Sequence, residues 1–201
     1  MSRLVSDTVD ILLARTRQSG GIAVDPDFAT EVLGICQQIV NTSLQRILVA
    51  TSFATTGGQQ LYAFSDVDTD LIDIVSIEEG NRELHQAVTL EDLSAYDSTF
   101  FTTTGASAFI GWAQMGRDYF ILYPAKTAAS SVTVTYVQAT TIYTDYSALT
   151  TEVMELNDED VEMVLKLAEA TLLIRARTVE PLRNTIKSFI DLLEAAKDAK
   201  N

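Results

Sequence analysis

The sequence has a single cysteine, Cys36, among its 201 residues, so no disulfide can close within the chain and no cysteine-built metal site is possible. Histidine is equally scarce. His85 stands alone after Arg82-Glu83-Leu84, without the partners that a metal ligand or a catalytic base requires. Positive charge is short as well: 14 Lys and Arg face 28 Asp and Glu, a formal net charge of −14 at pH 7. Affinity for a phosphate backbone comes from cations that displace counterions, so this balance argues against gripping nucleic acid. It leaves open a surface that nucleic acid passes without adhering, and it leaves open solubility alone. No apolar run approaches the roughly 20 residues that cross a bilayer. The start, Met1-Ser2-Arg3-Leu4-Val5-Ser6-Asp7, turns acidic quickly and has no signal-peptide core. The chain is therefore expected to be made and kept in the cytosol, or in a particle assembled there.

Catalytic motifs are missing too. There is no Gly-x-Ser-x-Gly elbow and no Gly-x-x-x-x-Gly-Lys loop. Asp66-Val67-Asp68-Thr69-Asp70 imitates the start of a calcium loop, but Leu71 stands where the loop needs glycine and Ile77 where it needs a bidentate glutamate. A solvated acidic loop is the better reading. The acids Glu152, Glu155, Asp158, Glu159, Asp160 and Glu162 suggest acid–base chemistry, yet several open a helix, where acids are expected anyway. The sequence thus predicts neither an enzyme nor a cofactor.

What is present is a core. Hydrophobic residues make up 47% of the chain, too much for disorder. Val5, Val9, Leu12 and Leu13 recur at helical spacing, with Ser6 as N-cap, until Ser19-Gly20-Gly21 stops the helix. Asp25-Pro26-Asp27 opens a second helix, Asp25 capping and Pro26 in the first turn. Its stripe runs through Phe28, Val32, Ile35, Cys36, Ile39, Val40, Leu44, Ile47 and Leu48, a span of roughly 33 Å at the helical rise. Cys36 on that stripe reads as a buried, inert thiol rather than a reactive one.

From Thr51 to about Gln138 the texture changes to Thr, Tyr, Val, Ile and Gly, which reads as short strands. Thr51–Thr56 and Gln60–Phe64 flank Gly57-Gly58 as a hairpin. Leu71–Ile77 is a strand, and Glu78-Glu79-Gly80-Asn81 turns the chain back toward Glu83–Gln86. Thr89–Leu93 reads as a short capped helix, and Phe109–Met115, Asp118–Tyr123 and Val132–Gln138 complete an antiparallel set. Asn157-Asp158-Glu159-Asp160 then starts a helix with two apolar rows, Val161/Leu165/Ala168/Leu172 and Met163/Leu167/Ala170/Ile174, as expected of a helix buried on two sides. Pro181 breaks it, and a last amphipathic helix carries Leu182, Ile186, Phe189, Ile190 and Leu193 on one face. The fold class is α+β: a helical bundle from residues 1–50 and 151–180, an inserted antiparallel β lobe at 51–150, and a C-terminal amphipathic helix at 181–201.

This order of elements resembles the head-to-tail adaptors, or connectors, of tailed bacteriophages, in particular short-tailed ones. The residues that carry the resemblance are Asp27 to Leu48, Gly58-Gln59-Gln60-Leu61-Tyr62-Ala63-Phe64 leading to Leu71–Ile77, Asp118–Pro124, Val132–Tyr136, and Leu156-Asn157 opening a helix. The resemblance implies a non-enzymatic virion protein at the head–tail junction, assembled in the host cytoplasm. Such a protein binds the portal protein and itself in a ring of twelve copies. It extends the DNA channel, lets genomic DNA pass without specific binding, offers a platform to a tail tube or nozzle protein, and touches no membrane.

Two sequence features fit that implication. Between Ser65 and Ser98 ten acids, among them Asp66, Asp68, Asp70, Glu78 and Glu79, face one basic residue, Arg82, a local charge of −9. Such a surface lining a channel would repel phosphates; it is equally a solvated lobe surface. The C-terminal helix combines Leu182, Ile186, Phe189, Ile190 and Leu193 with Arg183 and Lys187 near its start, where Arg175 and Arg177 add further charge. It is expected to dock on the portal or a neighbouring subunit, the alternative being that it folds back on its own bundle. Rival readings are a neck stopper or tail-tube component, and a monomeric ligand-binding module with a pocket around Trp112, Tyr119 and Tyr123.

Overall fold

A computed structural model describes residues 3–21, 23–87, 90–100, 102, 104–175 and 179–198. In chain order the elements are α1 (Val5–Gly20), α2 (Pro26–Leu44), β1 (Leu48–Ala54), β2 (Leu61–Ala63), β3 (Leu71–Glu79), β4 (Arg82–Glu83), β5 (His85–Gln86), α3 (Leu90–Tyr96), β6 (Thr104–Ala106), β7 (Gly111–Met115), β8 (Tyr119–Tyr123), β9 (Ala125–Lys126), β10 (Ser131–Gln138), α4 (Asp158–Arg175) and α5 (Val179–Asp198). The fold is α+β, with N- and C-terminal helices on either side of a β region in sequence. Two compact units divide it: residues 1–46 with 140–201, and residues 47–139. Residues 140–150, which the expected β lobe of 51–150 included, group with the helices.

In the helical unit α4 packs against α1, α2 and α5. That accounts for its apolar residues on more than one side: Val161, Val164, Leu165, Ala168 and Leu173 are completely buried. Ile174, expected in the second row, is 56% exposed. The helix begins as its sequence dictates, with Asn157 Oδ1 accepting from the Asp160 N–H at 2.9 Å. Asp25 caps α2 likewise, accepting from the Asp27 and Phe28 N–H groups at 2.9 and 3.3 Å.

The start of α1 differs from expectation. Ser6 is not its cap. The capping position is Leu4, which offers no side-chain bond, and the helix end is tied instead by the Val5 N–H donating to the Glu152 carbonyl at 2.9 Å. At the other end Gly21 takes the left-handed conformation (φ 65°) and its N–H returns to Arg17 O, the expected stop.

The second helix is shorter than its stripe suggested. Gln45 is left-handed (φ 50°) and ends it after 19 residues, roughly 28 Å. Leu48 belongs to β1, and Ile47 lies between helix and strand. Ile35 and Ile39 are 41% and 47% exposed, whereas Ala29, Leu33, Cys36, Val40 and Leu44 fill the interior. The chain after β10 returns along this helix. Thr140 donates its N–H and hydroxyl to Gln38 Oε1 at 2.7 and 3.1 Å, and the Tyr146 N–H reaches Asp27 Oδ1 at 2.8 Å. Gly34 permits the approach, since a Cβ there would stand 3.0 Å from the Ile142 Cα.

Among the described residues the β unit is two four-stranded sheets, ordered β1-β10-β3-β4 and β2-β8-β7-β5, plus the short pair β6-β9. Most pairs are antiparallel, but β5–β7 and β6–β9 are parallel, a departure from the all-antiparallel expectation. The hairpin across Gly57-Gly58 does not form: β1 pairs with β10, Leu48 opposite Val137, and β2 pairs with β8 in the other sheet. Side chains from both sheets share one core, including Ile77, Trp112, Phe120, Leu122, Val134 and Tyr136. Ile121 and Tyr123, alternating with Phe120 and Leu122 along β8, pack on the opposite face with Leu93 of α3 and with Phe100. Both faces of β8 are covered from Phe120 to Tyr123, which is why Phe120-Ile121-Leu122 is apolar throughout.

Along β3 the buried positions are Leu71, Ile74 and Ile77, every third residue rather than every second. Register shifts between Thr135 and Tyr136 and between Val137 and Gln138 on β10 account for that spacing.

Candidate functional site

The acidic stretch does not form one cluster. Asp66 and Asp68 sit on the turn between β2 and β3, while Glu78 and Glu79 end β3, which at strand rise separates Asp70 from Glu78 by about 26 Å. Several of these carboxylates serve local structure. Asp66 accepts from the Ala63 N–H at 2.8 Å. Asp68 accepts from the Asp70 N–H at 2.9 Å and from the buried Tyr136 hydroxyl at 2.7 Å, and these bonds hold its carboxyl below the usual carboxylate range. Burial and the bond to Asp68 push the Tyr136 phenol up.

Glu79 is turned inward. Its carboxylate pairs with Lys126 and with Arg82, accepts from the Phe109 N–H at 3.1 Å, and is 17% exposed. Burial favours the protonated form, but the bonds from Lys126 and Phe109 and the charges of Lys126 and Arg82 outweigh it and lower the pKa. Arg82, the one base of the stretch, also donates to the Phe109 carbonyl. Asp66 and Asp70 remain exposed, Asp68 and Glu78 half-buried.

Cys36 is 2% exposed, and burial pushes its thiol up to about 12, which fits an inert core residue. Among the described residues no group of three His, Cys, Asp or Glu side chains is placed to hold a metal ion. Nor is any described helix long and apolar enough to cross a membrane.

The C-terminal helix α5 packs on α4. Pro181, expected as a break, lies within its first turn, where the missing N–H costs no helical bond. Thr185 is 6% exposed and Phe189, Leu192 and Leu193 are half-buried, so this side faces the bundle. Ile186 and Ile190 are 38% and 45% exposed. At 100° per residue they share a sector of about 60° with Arg183, and Arg183 and Lys187 are exposed. The side chain of Leu182 and all of Arg177 lie outside the described residues, as does Thr89, the expected cap of α3.

The β unit also holds a groove of about 510 Å³ between α3 and the edge of its second sheet, lined by His85, Tyr96, Ile110, Trp112 and Tyr123 among others. Trp112 and Tyr123 were expected around a pocket. Tyr119 is not part of it and lines a smaller polar cleft with Asp68 and Arg117. The Tyr123 hydroxyl donates to Asp97 Oδ2 at 2.8 Å, a bond that pushes the phenol up to about 12. Sequence reading did not find Ile110 or Tyr96 as groove residues, because their neighbours in the lining come from other elements of the fold.

Comparison with curated proteins returns no match. A family model described as SU10 adaptor protein matches residues 6–185, a stretch that contains the whole β unit and most of the helical unit. The chain belongs to the SU10 adaptor protein family.

Proposed function

We propose that this chain is a non-enzymatic structural protein of a bacteriophage virion, a ring-forming adaptor of twelve copies between the portal and the tail. Membership of the adaptor family over residues 6–185 carries the reading. In this role the helical unit supplies the portal contact. Ile186 and Ile190, left in water on a helix whose other side is packed, are anchors at the i, i+4 spacing that helix-in-groove binding uses. Arg183 and Lys187 beside them add charge that selects an acidic or carbonyl-rich partner surface. Leu182, Phe189 and Leu193 belong to the same helix; Phe189 and Leu193 are half-buried against the bundle.

The net charge of −14 supports a channel wall that genomic DNA passes without specific binding, since an acidic surface repels phosphates. Exposed Asp66 and Asp70, with Asp68 and Glu78, are candidates for that wall. A tail tube or nozzle protein docks on the assembled ring, and the protein's place is the head–tail junction, assembled in the host cytoplasm.

Negative-stain microscopy of the chain mixed with purified portal rings of the same particle tests the reading. Added ring density at one end of the portal is the expected result. Bare portals, with the chain free in solution, would move the protein to a neck-stopper or tail-tube position.

A further inference from the structure

The groove of the β unit combines three properties that bear on its occupant. It is apolar and wet: Tyr96 and Ile110, which line it with the buried Trp112, are 72% and 49% exposed. Large apolar side chains gathered at a concave site and left in water mark interaction surfaces. Among the described residues it borders an unpaired sheet edge, because β5 is the last strand of the order β2-β8-β7-β5. The His85 N–H donates to Ile110 O at 3.2 Å and the Ala87 N–H to Trp112 O at 2.8 Å, so the N–H and C=O of Gln86 between them point away from β7. Its surroundings are acidic. Asp92 lines the groove, Glu83 and Glu91 nearby are exposed, and the one base of the stretch, Arg82, is engaged by Glu79 and the Phe109 carbonyl.

We infer that this groove receives an extended segment of a tail protein, one that offers an apolar side chain flanked by lysine or arginine. The assignment rests on the adaptor reading above and gives its tail-docking platform a location. An extended segment uses what a helix would waste, the outward backbone of Gln86, while its alternate side chains reach the groove. The flanking cations answer the acids at the groove, Asp92 in its lining and the exposed Glu83 and Glu91 near it in sequence. A second copy of this chain is the other occupant that the test separates.

The test uses the full chain, portal rings, and the purified tail proteins of the same particle, together with short overlapping peptides covering those tail proteins. The captured peptides are expected to pair an apolar residue with Lys or Arg and to bind more weakly as salt rises. Ile110→Asp and Tyr96→Ala each change an exposed side chain and are expected to weaken capture by about tenfold or more while portal attachment is kept. Circular dichroism checks that both variants are folded, and Tyr96→Ala suffices if Ile110→Asp is not. Unchanged capture by the folded variants, or capture of acidic peptides, overturns the groove assignment and leaves the adaptor reading standing. So does self-association of the wild type in sedimentation that Ile110→Asp abolishes, which would make the occupant a second copy. Failure of the wild type to attach to portals overturns the adaptor reading itself.

Discussion

The guanidinium of Arg46 stands against the carboxylate of Asp160, Nη2 donating to Oδ1 at 3.0 Å and Nε 2.8 Å from Oδ2. The two residues are 114 positions apart, and the whole β unit lies between them in sequence. The pair joins the end of α2 to the first turn of α4. Asp160 is 1% exposed, so removing Arg46 strands a carboxylate in the interior. Arg46→Ala is expected to cost about 3–5 kcal/mol, read from the shift of the urea midpoint. Adding Asp160→Asn removes the stranded charge and should recover a good part of the loss. A double variant no more stable than Arg46→Ala would exclude the pair as the cause.

Gly111 holds β5 against β7. A Cβ at this position would stand 2.6 Å from the His85 carbonyl oxygen, a backbone atom that cannot swing aside. Gly111→Ala is therefore expected to push the short parallel strand away and cost about 1–3 kcal/mol. Amide exchange at His85 and Ala87, whose N–H groups bond to the carbonyls of Ile110 and Trp112, should quicken first. Wild-type exchange rates at both positions would contradict the proposed crowding.

Glu79 makes part of the β unit's stability depend on pH. Its folded pKa is depressed below the ordinary value of 4.5, so the contribution is fully present above that value and is lost as pH falls through the folded pKa. Glu79→Gln is expected to cost about 2 kcal/mol near neutral pH, below the range for fully buried pairs because both partners keep some solvent contact. The difference between wild type and variant should stay constant above about pH 5.5 and shrink on acidification below 4.5. Denaturation at a series of pH values measures it, and a gap that fails to narrow in acid would rule out ionisation of Glu79 as its source.

On α5, Ile186→Asp with Ile190→Asp changes side chains that are 38% and 45% exposed, so the helical unit should lose no more than about 1 kcal/mol. Attachment to portal rings is nevertheless expected to fall by at least about a hundredfold, the loss of two central anchors. Pull-down on immobilised portals with the melting temperature as control separates the two effects. Attachment at wild-type strength would mean that the portal contact lies elsewhere.

The helices were legible where their physics is local. Asp25 and Asn157 cap the helices that follow them because a carboxylate or amide needs only the N–H groups two or three residues on. Gly21 stops α1 because its own backbone adopts the left-handed turn at no steric cost. The order of elements rests on the same local periodicities, and the likeness to phage adaptors that it suggested is consistent with the adaptor family found over residues 6–185.

Local signals misled where the partner was distant. Gly57-Gly58 has the composition of a hairpin turn, but β1 gains seven residues of pairing with β10, more than three-residue β2 could offer. Ile35 and Ile39 have the spacing of a core stripe, yet α1 and α4 pack on the side of α2 that carries Leu33, Cys36, Val40 and Leu44, so both stay in water. Composition and periodicity by themselves determined that this chain is an acidic α+β protein, with helices at both ends of the sequence and strands between. The strand pairing, the inward turn of Glu79, and the joining of Tyr96, Ile110 and Trp112 around one groove were decided by tertiary structure alone. They depend on contacts between residues far apart in the chain, and no local pattern encodes which distant surface a strand or side chain will meet.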